Sequence, residues 1–220
     1  MPDLTRKELI KILAGSPTTT DIFNKYGIDD FSGLRYRLSL KGVDLTGVCL
    51  VELDFCNVDI RNARLDGCEC TGASFRGANL ESTSLANTAM SMCDFTGANF
   101  SPLHASGADF TESCMRDLEA ENSNFEGADF DGCDMRGANF TGAQLTLAKL
   151  TGCKTCMARF DGADMTGADI EGTDFSELDL GPHIGLPTGI ELPHMERLRE
   201  RVAQFNEAGK RDHNIRSRRG

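Results

Sequence analysis

From Leu38 to Leu180 a large apolar residue returns at every fifth position. The series runs Leu40, Leu45, Leu50, Phe55, Ile60, Leu65 and on to Phe175 and Leu180. Two residues before each there is usually a second, smaller apolar side chain, as at Ala63, Ala73, Ala78, Ala98, Ala108, Ala128, Ala138 and Ala163. The phase holds over 29 consecutive units. A period of five is neither the 3.6 of a helix nor the two of a flat strand, and fixed self-similarity marks a repeat architecture. The pattern therefore predicts a solenoid in which two positions per unit fill a narrow bore and three face water. Glycine follows the large residue by two in 15 units, where a corner needs backbone freedom.

Two units test the inward assignment. Large and small exchange places at Leu103 and Ala105, and again at Leu118 and Ala120. The summed volume is kept, as a close-packed interior requires. Pro102 sits at the corner before the first exchange, where a local distortion is expected. Thr155 is a polar residue at a large inward position and should need a backbone partner.

The pattern changes outside this stretch. Residues 1–37 read as a helical cap and an imperfect first coil, with Thr5 and Glu8 as a capping box and Leu9, Ile10 and Leu13 as an apolar stripe. A second short helix carries Ile22, Phe23 and Tyr26. After Leu180, Gly181-Pro182, Gly185, Pro187 and Gly189 mark an irregular connector. A helix from Pro193 to near Asn206 follows, with Met195, Leu198, Val202 and Phe205 spaced three, four, three. The domain reading is thus 1–37, cap; 38–180, repeat; 181–208, connector and amphipathic helix serving as cap or dimer contact; 209–220, basic disordered tail.

The triplets Ala78-Asn79-Leu80, Ala98-Asn99-Phe100, Ala108-Asp109-Phe110, Ala128-Asp129-Phe130 and Ala138-Asn139-Phe140 repeat a motif that resembles the pentapeptide-repeat family, A(D/N)LXX. That resemblance implies an all-β solenoid, a right-handed quadrilateral β-helix with four units per coil and one per face. Residues 38–180 then make about seven coils, roughly 34 Å long at the usual strand spacing. Both ends need caps, because raw sheet edges aggregate.

Charge separates the regions. The net charge of −11 divides into +1 over residues 1–37, −15 over 38–180 and +3 over 181–220. Taking units twenty residues apart as one face, the face centred on Leu50, Cys70, Met90, Phe110, Phe130, Leu150 and Ile170 carries −7. It displays Glu52, Glu69, Asp109, Glu112, Asp129, Asp131, Asp169 and Glu171, relieved by Lys149. The other three faces carry −2 or −3. Either the acids are what the motif places beside each large residue, or they form an acidic interaction face. Such a surface repels nucleic acid and anionic membranes and attracts a protein with a basic site.

Other chemistry has little support. Nine cysteines without an export pattern read as free thiols in a cytoplasmic protein. Cys68, Cys70, Cys93, Cys133 and Cys153 fall on inward positions as small hydrophobes. Cys49, Cys56, Cys114 and Cys156 fall outside. Cys153-x-x-Cys156 has no second ligand pair for zinc, and His104 has no partner for general-base work. No catalytic residue, metal or cofactor is expected.

Two functions remain. One is a non-catalytic protein-interaction scaffold presenting an acidic, rod-like surface to a protein partner. The other follows from the resemblance. Some family members mimic B-form DNA and bind DNA gyrase or topoisomerase IV, inhibiting the enzyme or protecting it from quinolones. This chain lacks the insertion loops of the plasmid-borne quinolone-resistance members. The C-terminal helix is read either as an end cap or as a homodimer contact.

Overall fold

The structure, a computed structural model, describes residues 40–175, 177, 178 and 188. The helices expected within 1–37 and over 193–206, the dimer stripe of Met195, Leu198, Val202 and Phe205, and the basic tail lie outside the described residues.

Each five-residue unit is an extended residue pair followed by a tight turn. At Leu45 the turn closes when the Val48 N–H donates to the Leu45 carbonyl at 2.9 Å. Its third residue, Gly47, has φ +69°, which type II turns demand. This corner position has positive φ in every unit from Gly42 to Gly172 except at Pro102, where the Ser101–Pro102 peptide is cis. Eleven of these corners are not glycine, so the chain accepts a left-handed backbone at side-chain-bearing residues as well.

Twenty residues return the chain to the same face, one coil on. Four parallel ladders result. Ladder I runs Asp44, Arg64, Ser84, His104, Asn124, Gln144, Asp164. Ladder II runs Cys49, Glu69, Ala89, Asp109, Asp129, Lys149, Asp169. Ladder III joins Asp54 to Lys154, and ladder IV joins Asp59 to Arg159. Ladder I then gains Thr188, paired with Asp164 after 24 residues instead of twenty. Thr188 falls in what sequence reads as the irregular connector, because the bridge depends on where the chain returns and not on the five-residue phase.

In most units four of the five N–H groups are satisfied by backbone carbonyls. Around Leu65, for example, they go to Ser84 O, Ala86 O, Leu65 O and Val43 O. Where the ladder residue is Asp or Asn, its side chain accepts the fifth, one residue after the large side chain. Thr96 N donates to Asp94 Oδ1 at 3.0 Å, Thr111 N to Asp109 Oδ1 at 2.9 Å and Glu126 N to Asn124 Oδ1 at 2.9 Å. The motif's D/N position thus completes the backbone account, as buried polar groups require.

The bore is filled as the phase predicts. Large positions from Leu40 to Met165 are buried, and so are Leu103, Ala105, Leu118 and Ala120, so the exchanged pairs keep the core closed. Phenylalanines stack in register, Phe55 on Phe75 at 5.0 Å and Phe110 on Phe130 at 5.2 Å. Edge-to-face contacts such as Phe95 with Phe110 tie neighbouring faces together. Thr155 finds its backbone partner in the Asp174 carbonyl at 2.5 Å.

Small polar residues in the bore follow one rule. Each serine, threonine or cysteine at a small inward position donates to the carbonyl 23 residues earlier. The bonds include Thr83 to Ile60 at 2.9 Å, Ser113 to Met90 at 2.9 Å and Cys93 to Cys70 at 3.0 Å. Cys68, Cys133 and Cys153 do the same. These cysteines are therefore more than apolar filler, because each thiol caps a carbonyl that already accepts a turn bond.

Candidate interaction face

All nine cysteines are free thiols. Cys49 is exposed, whereas Cys56, Cys114 and Cys156, expected outside, are half-buried. Burial pushes the Cys93 and Cys153 thiols up to about 12 and that of Cys133 higher still. A thiol held protonated at neutral pH is neither a nucleophile nor a metal ligand. Among the described residues no group of His, Cys, Asp and Glu is placed to hold a metal ion, and no helix is long and apolar enough to cross a membrane. His104 stands exposed on ladder I between Ser84 and Asn124. What the fold offers is its outer surface.

The four faces differ in how their charges are compensated. On face III the ladder acids Asp94 and Asp134 have arginine partners one coil below or beside them. Arg76 meets Asp94 at 3.1 Å, and Arg116 and Arg136 share Asp134 at 2.8 and 2.6 Å. On face IV the Asn139 amide donates to Glu119 at 2.9 Å and Glu121 at 2.7 Å, while Arg159 pairs with Asp161. Face I has few charges at its centre, where Ser84, His104, Asn124 and Gln144 follow one another.

Face II holds the eight acids singled out by sequence. Asp109, Asp129 and Asp169 stand in the ladder and accept the N–H of Thr111, Asp131 and Glu171. Glu69 accepts the Thr71 hydroxyl at 2.9 Å, and Asp131 that of Thr151 at 2.6 Å. Glu52 and Glu112 occupy corners with φ +57° and +59°. All are exposed apart from Asp109 and Asp129, which are half-buried. Lys149, the sole cation on the face among the described residues, reaches Asp129 at 2.7 Å, and that hydrogen-bonded carboxylate raises the ammonium pKa.

Sequence reasoning missed the apolar border of this face. Met92 and Leu147 are 58% and 63% exposed, and Val51 is 39% exposed. Val51 lies on face II, Met92 at its corner with face III and Leu147 at its corner with face I. A signal was present, since both corner residues stand where the repeat otherwise favours Gly, Asn, Asp or Glu.

The ladder acids have a structural duty that separates charge from fold. Asp109→Ala should cost about 1 kcal/mol by orphaning the Thr111 N–H, while Asp109→Asn should cost only about a few tenths. Urea unfolding of the two variants measures the difference. Equal losses would show that the cap contributes nothing.

The chain matches the family description "Pentapeptide repeat region" over residues 83–160 and "Pentapeptide repeats (8 copies)" over 39–69, 63–101 and 143–180. Together these span residues 39–180. No curated protein matches the chain in sequence. Among solved structures it is similar to HetL from Nostoc sp. strain PCC 7120, a pentapeptide repeat protein involved in heterocyst differentiation regulation. Identity is 16%, with 78% of this chain and 98% of HetL covered and a TM-score of 0.52. It is also similar to a trypsin-treated form of QnrB1, a plasmid-mediated fluoroquinolone resistance protein. Here identity is 18%, coverage 75% and 84%, and the TM-score 0.56. A second trypsin-treated QnrB1 gives 18%, 73%, 83% and 0.54. The chain belongs to the pentapeptide-repeat family, and its fold is that family's right-handed β-helix solenoid.

Proposed function

We propose that this protein is a non-catalytic, cytoplasmic interaction scaffold whose face II engages a basic site on a protein partner. One observation carries the reading. Asn fills the ladder's capping role as well as Asp does, as Asn79, Asn99, Asn124 and Asn139 demonstrate. Face II nevertheless uses Asp at Asp109, Asp129 and Asp169, and sets one lysine against eight acids. The fold does not require that charge. Clustered like charge on a rigid surface steers an oppositely charged partner.

The test neutralises the face while keeping its caps, with Asp109, Asp129, Asp131 and Asp169 changed to Asn and Glu112 and Glu171 to Gln. The variant should melt like the wild type, and should lose the proteins that the wild type captures from a lysate at about 0.1 M salt and releases at higher salt. Equal capture by both would refute the acidic face.

A second reading is binding to a type II topoisomerase, and the likeness to QnrB1 in fold supports it. Micromolar protein should then inhibit gyrase supercoiling or restore it in ciprofloxacin. No change in either assay would end that reading.

The stripe Met195, Leu198, Val202 and Phe205 is proposed as a homodimer contact. Leu198→Asp with Phe205→Asp should convert a dimer to a monomer in light scattering, and a monomeric wild type would refute it.

A further inference from the structure

Face II is the most acidic surface of the solenoid, and it also collects apolar side chains. Of the four large apolar residues exposed among the described residues, Val51, Met92 and Leu147 lie on this face or its edges, and Met157 lies two corners round from Leu147. Met92 and Leu147 take up opposite edges. Met92 follows ladder residue Ala89 in one coil, and Leu147 precedes Lys149 three coils further on. Between them stand Asp109, Glu112, Asp129 and Asp131. The diagonal spans about 14 Å along the axis and about 10 Å across, from strand spacing and rise.

Both corners hold left-handed backbone, φ +56° at Met92 and +59° at Leu147. Glycine would fit there without steric cost, and a carboxamide would be better hydrated. Leu147 leans along the axis over Gly167 and leaves most of its surface to solvent. Neither side chain contributes to the bore.

Resting on the acidic-face reading above, we propose that face II binds an extended protein segment that is basic at its centre and apolar at each end. The basic centre lies over Asp109, Asp129 and Asp131, and the apolar ends contact Met92 and Leu147. Buried apolar anchors at the ends of a charged patch shield it from water and fix the register of an otherwise sliding electrostatic contact. The segment crosses the face obliquely, because its two anchors sit on opposite edges. A nucleic acid or an anionic membrane is repelled by the same carboxylates.

The test uses two fluorescein-labelled peptides and the full chain. One peptide has two leucines six residues apart with five arginines between them, about 20 Å in extended form. The other has alanine in place of both leucines. In fluorescence anisotropy at about 0.1 M salt the wild type should bind the leucine peptide at least roughly tenfold more tightly. Met92→Gly with Leu147→Gly relieves two left-handed side chains and so keeps the fold. It should bind both peptides alike, at the affinity of the alanine peptide. Asp109→Asn, Asp129→Asn and Asp131→Asn together should weaken both peptides. If the double glycine variant keeps the leucine preference while the asparagine variant loses both peptides, the apolar anchors are refuted and the acidic face stands. If the asparagine variant binds like the wild type, the acidic face itself fails. A wild type that binds neither peptide, or both equally, overturns the inference.

Discussion

Replacing Phe110 by alanine is expected to lower the free energy of unfolding by about 3–5 kcal/mol, the range for removing a buried phenylalanine. Phe110 lies at the centre of the bore. It stacks on Phe130 at 5.2 Å and meets Phe95 at 5.7 Å and Phe125 at 6.1 Å edge to face. The neighbours cannot close the gap, because each is held by its own coil's turn and ladder bonds. In a solenoid each coil touches only the next, so the loss weakens the two interfaces around residue 110 before the ends. Urea unfolding gives the total, and amide exchange should show protection falling first in residues 88–134. A loss below about 1.5 kcal/mol would mean that the bore repacks more freely than its stacking implies.

Gly77→Ala should cost about 2–3 kcal/mol, whereas Gly97→Ala, one coil along the same corner, should cost about 1 kcal/mol. Both glycines have left-handed φ, +61° and +64°, so both variants incur the backbone term. They differ in their surroundings. A Cβ on Gly77 would stand 2.5 Å from Asn57 Oδ1, while one on Gly97 would meet nothing within 4 Å. The residue at the corner one coil earlier decides the matter: Asn57 precedes Gly77, and Gly77 itself precedes Gly97. Adding Asn57→Gly should return Gly77→Ala to the cost of Gly97→Ala. Additive losses in that double-mutant cycle would rule out the steric account. The same arrangement recurs where Asn87 lies over Gly107, Asn122 over Gly142 and Leu147 over Gly167.

These predictions draw unequally on sequence. The Phe110 environment was legible from the phase of five, which sends Phe110 and Phe130 inward on one face. The Gly77 result was not. Glycine marks both corners in the sequence, but which one is crowded depends on a residue twenty positions away. The acidic face shows the same division. Its eight acids can be read from the chain once the face is known, yet their freedom depends on partners that only folding supplies. Asp94 and Asp134 look like Asp109 in sequence, but arginines 18 residues earlier neutralise them.

The sequence by itself determined which side chains enter the bore, including the exchanged pairs Leu103/Ala105 and Leu118/Ala120 and the backbone bond that Thr155 required. A two-in, three-out unit sets side-chain direction locally, through the turn after each large residue, so periodicity is enough. The tertiary structure decided everything that passes between coils: the carbonyl that each buried thiol caps, the crowded and open glycine corners, the acids left without a cation, and the apolar residues bordering face II. Those contacts join residues 18 to 24 positions apart. A period of five does not state how many units close a coil, and only the closed coil brings such residues together.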